Sequence, residues 1–162
     1  MFGRRTKALA AAGAKAPQFR LSTLDGSTLS LQDLLAGGPA LLAFYKISCP
    51  VCQLTVPYLQ RLAASSSLQV IGISQDDAKA TRGFMQRFGL TFPTLLDLGD
   101  EDYPASNAFG ITSVPSLFLI ESDGVISRSI AGFSKRDFED IGARAGVSPF
   151  GADDHVPEWK AG

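Results

Sequence analysis

An α/β fold with a mixed central sheet flanked by helices is what this sequence predicts, on three observations. Ala40 to Ile47 and Leu68 to Ser74 are nearly continuous apolar runs, the mark of strands buried on both faces. Each run is followed by apolar residues at helical spacing: Val51, Leu54, Tyr58 and Leu62 after the first, Phe84 and Phe88 after the second. The chain then closes with two strand-like segments around Asp123-Gly124 and a last helical stretch, so strands that alternate with helices end in a hairpin plus helix.

Taken in order, Asp25-Gly26 reads as a turn between short strands near Gln18 to Leu21 and Thr28 to Leu29. Ser30 is placed to cap one helical turn over Ser30 to Leu35, with Asp33 three residues on. Gly37-Gly38-Pro39 breaks the chain before the first buried strand. Pro50 suits the first position of the next helix, where a missing N–H costs nothing, and Pro57 should kink that helix. Ser65-Ser66-Ser67 ends it. A helix over Ala78 to Phe88 stops at Gly89, a short strand covers Thr94 to Asp97, and a short helix covers Ala105 to Phe109. Ser116 to Glu121 and Val125 to Ala131 form the hairpin, with Asp123-Gly124 suggesting a type I′ turn. Ser134 caps the last helix, whose apolar face is Phe138, Ile141 and Ala145 and whose stop is Gly146.

Length and composition narrow the function. The 162 residues suit one domain, 45% apolar content fills one core, and a net charge of −1 offers no basic footprint for nucleic acid. No stretch approaches the ~20 apolar residues of a membrane span. Residues 1–15 read as a flexible leader. Arg4, Arg5 and Lys7 with Ala14-Lys15-Ala16 resemble the ends of a signal peptide, but the alanine-rich segment between them is a poor apolar centre. A cytoplasmic location is expected on that ground, with the periplasm or cell envelope as the alternative. Residues 16–147 form the domain, and 148–162 a surface tail rich in Gly, Pro and acidic residues.

The chemistry concentrates in Cys49-Pro50-Val51-Cys52, which holds both cysteines of the chain at the carboxyl end of the first buried strand. One helical turn covers that spacing, so the sulfurs can open and close as a disulfide. A helix N-terminus presents unpaired N–H groups that favour a negatively charged sulfur at Cys49, while Cys52 lies one turn inside. Exchange would run through attack of Cys49 on a partner disulfide and resolution by Cys52. No bound cofactor is needed, because electrons come and go through the sulfurs. Two other readings are a pair of buried small hydrophobes, which the strand-to-helix context disfavours, and half of a zinc site, which requires four ligands, the remaining soft candidate being His155 in the tail.

Over Ala16 to Gly146 the chain resembles the thioredoxin-like fold, and within it the TlpA/ResA-like thiol-disulfide oxidoreductases of the redoxin superfamily. The resemblance rests on Ala16-Pro17-Gln18-Phe19-Arg20-Leu21, Asp25-Gly26, Leu29-Ser30-Leu31, Leu41-Leu42-Ala43-Phe44-Tyr45 leading into the CxxC, Pro57, Val114-Pro115-Ser116, and Phe118-Leu119-Ile120 before Asp123-Gly124. It implies an N-terminal β extension, an inserted helix-strand segment, and dithiol or disulfide proteins as partners. It implies that Pro115 is cis and lies against the CxxC, leaving the Val114 backbone to pair with a substrate strand, with Pro50 and Val51 beside it. Where thioredoxins bury an acid this chain has Ala43, and Asp76 matches the acid of the TlpA/ResA-like proteins. Two roles are open to it: taking the proton of Cys52, or capping the next helix together with Asp77. Ser48 stands where the family usually has Trp, and Lys46 is near in sequence.

Two other functions are weighed on the same fold. Peroxiredoxins carry Pro and then Thr or Ser ahead of a cysteine that aligns with Cys52, and an Arg close to the region of Pro115; the first two positions here are Tyr45 and Cys49. Copper-handling modules pair CxxxC with a distant His, whereas this spacing is CxxC and the one His lies in the tail.

Overall fold

The computed structural model describes residues 7–162, so Arg4 and Arg5 of the leader lie outside the described residues. Among the described residues nine strands and five α-helices follow in chain order: β1 (Arg20–Thr23), β2 (Thr28–Ser30), α1 (Leu31–Leu35), β3 (Ala40–Tyr45), α2 (Pro50–Leu62), β4 (Gln69–Ser74), α3 (Ala78–Phe88), β5 (Thr94–Leu96), α4 (Pro104–Ala108), β6 (Ser116–Ile120), β7 (Ile126–Ala131), β8 (Phe133–Ser134), α5 (Lys135–Ala145) and β9 (Trp159–Lys160). Seven strands make one sheet in the order β2-β1-β5-β4-β3-β6-β7. The β3–β4 and β4–β5 pairs are parallel and the remaining pairs antiparallel. The mixed sheet expected from the sequence is therefore present, with α3 and β5 as the inserted helix-strand and β1–β2 as the N-terminal extension docked on β5.

The central strand β3 is buried on both faces, and its alternation divides the core. Leu41, Ala43 and Tyr45 face α2, α3 and α5, packing with Val56, Leu59, Phe84, Phe138 and Ile141. Ala40, Leu42 and Phe44 face α1, α4 and the segment after it, packing with Leu31, Ala105, Phe109 and Phe118. Full burial of one such aliphatic or aromatic side chain stabilises the fold by roughly 1.5–3 kcal/mol, so Phe44 and Phe118, stacked edge-on with centroids 5.8 Å apart, are strong anchors on that face.

Several local expectations hold and several move. Ser30 caps α1 through a reciprocal box: its Oγ accepts the Asp33 N–H and the Asp33 carboxylate accepts the Ser30 N–H. Gly89 and Gly146 end α3 and α5 in left-handed conformations. The first strand lies two residues later than expected, because Ser22 and Thr23 pair with Leu96 and Leu95 of β5. The hairpin turn is not type I′. The Gly124 N–H donates to the Glu121 carbonyl, and of Asp123 and Gly124 only Gly124 has positive φ (86°). This is a type I turn over Ser122-Asp123 closed by a glycine bulge. Helix α2 continues through Pro57, which forgoes the bond to the Gln53 carbonyl.

Both ends of the described chain are held by the domain. Gly13 N–H donates to Ile126 O and Ile126 N–H to Ala14 O, while Ala10 N–H donates to Phe109 O, so this part of the leader runs along β7. In the tail, Pro149 is buried and Phe150 packs among Tyr58, Phe133 and Phe138. Arg61 donates to the Pro149 carbonyl and pairs with Asp154. The two-residue β9 then pairs with β8.

Candidate redox site

The site forms where β3 hands over to α2. The ladder stops at Tyr45, and Lys46 to Ser48 leave the sheet as a short loop. Two side chains fix that loop. The Asp76 Oδ2 accepts the Ile47 N–H at 2.8 Å, and Gln53 Nε2 donates to the Ile47 carbonyl at 3.0 Å. Cys49 follows as the N-cap of α2, with extended backbone and Pro50 in the first turn. Its sulfur accepts the Cys52 N–H at 3.2 Å, one of the orphan donors of the helix start.

The two thiols sit in different surroundings. Cys49 is half-buried and Cys52 is wholly buried, in the core layer with Val56, Phe84 and Leu117. Burial pushes the Cys52 thiol well above the ordinary cysteine range; its hydrogen bond with Cys49 and the nearby Asp76 carboxylate push the same way. At neutral pH Cys52 is therefore a protonated thiol. Tyr45, beneath the site, is also raised by burial, to about 12.

Across from α2, the Val114–Pro115 peptide is cis, and the Cys49 thiol donates to the Val114 carbonyl at 3.4 Å. That loop is braced from both sides: Ser116 Oγ donates to the Ser113 carbonyl at 2.8 Å, and the Gly132 N–H donates to the Pro115 carbonyl at 2.8 Å. The structure thus gathers Cys49, Cys52, Val114, Pro115 and Asp76. Pro50 is exposed and Val51 half-buried on the first turn of α2. Asp77, not Asp76, caps α3, through the Ala80 N–H. Ser48 is exposed beside Cys49. Sequence reasoning missed Gln53. No local pattern marks it, since the Ile47 carbonyl it binds is presented by the path of the loop. Among the described residues no three His, Cys, Asp or Glu side chains converge as a metal cluster.

Comparison with known proteins agrees with this geometry. The AhpC/TSA family model matches residues 12–129. The thiol-disulfide oxidoreductase ResA of Geobacillus thermodenitrificans is 31% identical over 138 residues, covering 82% of this chain and 77% of that protein. Among solved structures, a thioredoxin-family thiol:disulfide interchange protein from Chlorobium tepidum superposes with a TM-score of 0.66 at 28% identity, covering 85% of this chain and 99% of that one. A secreted disulfide oxidoreductase of Mycobacterium tuberculosis superposes with a TM-score of 0.64 at 26% identity, covering 78% and 96%. With the paired thiols, the braced proline loop and the matched family model in agreement, the chain belongs to the AhpC/TSA family, on its ResA-like thiol-disulfide oxidoreductase branch.

Proposed function

We propose that the protein exchanges two electrons with disulfide-bearing partner proteins, Cys49 attacking and Cys52 resolving. The observation that carries this reading is the asymmetry of the pair: one half-exposed sulfur receives the Cys52 N–H at a helix N-terminus, and a buried, protonated thiol waits one turn behind it. The Cys49 sulfur displaces one partner sulfur as a thiolate and forms a mixed disulfide. Cys52 then loses its proton and attacks Cys49. The Cys49–partner bond breaks, the Cys49–Cys52 disulfide forms, and the second partner sulfur leaves reduced. Reversal of the same steps oxidises a partner.

The other site residues take supporting roles in this reading. Asp76 holds Ile47 with one carboxylate oxygen, and the other is assigned the proton of Cys52. Val114 and Pro115 shape the groove in which a partner strand meets Cys49, with Pro50 and Val51 as its near wall. The residue one turn before Cys52 is a second thiol and not a hydroxyl, which favours disulfide exchange over peroxide reduction. A location outside the cytoplasm is the better supported one, since one matched structure is of a secreted oxidoreductase; the cytoplasmic location expected from the leader gains no support from the relatives.

The test is trapping. Incubated with a peptide carrying a disulfide, Cys52→Ser is expected to accumulate a stable mixed disulfide at Cys49, and Cys49→Ser to accumulate none. Equal trapping by both variants would contradict the assigned order of attack.

A further inference from the structure

The groove beside the proline loop is already occupied by the chain itself. Beyond Glu158 the tail runs antiparallel to β8, with Lys160 opposite Phe133 and Trp159 opposite Ser134, and the Lys135 N–H donates to the Glu158 carbonyl at 3.0 Å. From there it crosses Gly132 and reaches the proline loop. A β-carbon built on Gly132 would collide with the Lys160 carbonyl oxygen and lie 3.3 Å from the Gly162 nitrogen. One built on Gly162 would collide with the Val114 carbonyl oxygen and lie 2.8 Å from the Val114 carbonyl carbon and 3.3 Å from the Pro115 nitrogen. The Val114 carbonyl is the group that accepts the Cys49 thiol. The backbone of residues 160–162 therefore lies against the edge that a partner strand needs.

The attachment has a firm root and a light tip. Phe150 is set in the aromatic cluster with Tyr58, its nearest ring at 4.9 Å; Asp154 pairs with Arg61; and Val156 packs on the core. Residues 157–162, by contrast, are all exposed, and their ladder is two residues long. Trp159 is 60% exposed, so part of it still lies against the domain. The tip can lift while the root stays in place.

Building on the exchange reading above, we propose that residues 159–162 are a displaceable strap that occupies the partner groove at Val114, so that an extended polypeptide disulfide must replace the strap to reach Cys49, while a small disulfide need not. The strap is an intramolecular competitor. It lowers the apparent reactivity toward a strand-like partner by the fraction of time the groove is closed, and selects partners whose backbone can pair along β8 and the proline loop.

The experiment compares three reduced proteins: the full chain, the chain ending after Glu158, and full-length Gly162→Ala, whose added methyl collides with the Val114 carbonyl. Two probes are used: the small disulfide 5,5′-dithiobis(2-nitrobenzoate), and a ten-residue extended peptide whose central cysteine carries the same aromatic thiol as leaving group. If the groove is open about one-tenth of the time, removal of the strap speeds the peptide reaction about tenfold and Gly162→Ala speeds it about threefold, while the small disulfide changes by less than about twofold. In full-length Cys52→Ser trapped with the peptide, the emission of Trp159, the one tryptophan, shifts as the strap leaves β8. Peptide rates that are equal or slower in both altered chains, with the full chain still reacting through Cys49, overturn the strap and leave the exchange reading intact. Failure of all three chains with both disulfides overturns the exchange reading and the strap with it. Should the shortened chain not fold, Gly162→Ala and the Trp159 signal decide.

Discussion

At the residue scale, the site works through the unequal treatment of two identical side chains. Cys52 is sealed in the core and kept protonated, so resolution needs a base, and Asp76 is the carboxylate near enough to raise it. Asp76→Asn keeps an oxygen that can accept the Ile47 N–H but cannot take a proton at neutral pH. It is expected to slow release of the trapped partner by about 100-fold at pH 7, the usual lower range for a lost general base, with the deficit shrinking as the pH rises. The readout is the lifetime of the mixed disulfide in rapid-quench experiments; a uniform loss at every pH would make Asp76 a purely positional residue. The pair of cysteines was fully legible in the sequence, because spacing and helix position are local facts. Gln53 was not, because nothing local tells which carbonyl its amide will find. Whether Asp76 shares the capping of α3 with Asp77 was also open until the backbone showed that the Ala80 N–H faces Asp77.

The same raised thiol makes a statement about stability. A group whose folded-state value lies above its unfolded value supports the fold fully below the unfolded value and loses that support as the pH climbs toward the folded one. For Cys52 the loss begins near its ordinary value of 9.0. Urea unfolding of the reduced protein should therefore weaken from about pH 9 upward by as much as ~1.4 kcal/mol per pH unit. The oxidised protein has no Cys52 thiol to titrate. It should stay flat until Tyr45, with an ordinary value of 10.0 raised to about 12, begins to contribute. Identical profiles for the two redox forms would contradict the burial argument.

At the scale of elements, the parts visible in the sequence are those specified by neighbours in the chain. β3 and β4 declared themselves by unbroken apolar runs, and the α3 and α5 stops by glycine. The capping box of α1 was half visible as Ser30 and Asp33. Ser30→Ala removes the acceptor for the Asp33 N–H and should cost about 1 kcal/mol, measured as a lower urea midpoint with an unchanged slope. Because α1 lies on the sheet face opposite α2, the redox chemistry should be unaffected. Elements set by tertiary pairing moved: β1 slid two residues to meet β5, and the β6–β7 ladder changes register a second time, beyond the turn, between Leu119 and Ile120. The loop after β3 was overrun by the strand expectation, since Lys46 and Ile47 continue the chain but not the ladder; Asp76 and Gln53 hold Ile47 instead.

At the scale of the whole molecule, the sheet order places the end of β3 between β4, which leads to Asp76, and β6, which is preceded by the proline loop. The site is thus assembled from three strand ends, at the edge where an α/β sheet presents its chemistry. Both terminal segments add to this frame in ways no local pattern announces: residues 10–16 run along β7, and residues 149–160 clamp α2 to β8. Contacts such as Phe150 with Tyr58 join residues far apart in the chain, so their partners appear only once the domain has folded. The measurement that tests the central claim most directly is a redox titration of the protein in glutathione buffers, with alkylation and mass analysis at each potential. The account predicts one two-electron transition, about 30 mV per decade, in which Cys49 and Cys52 lose their thiols together, with no such transition in Cys49→Ser. Independent one-cysteine glutathione adducts, with no internal disulfide at any potential, would contradict it.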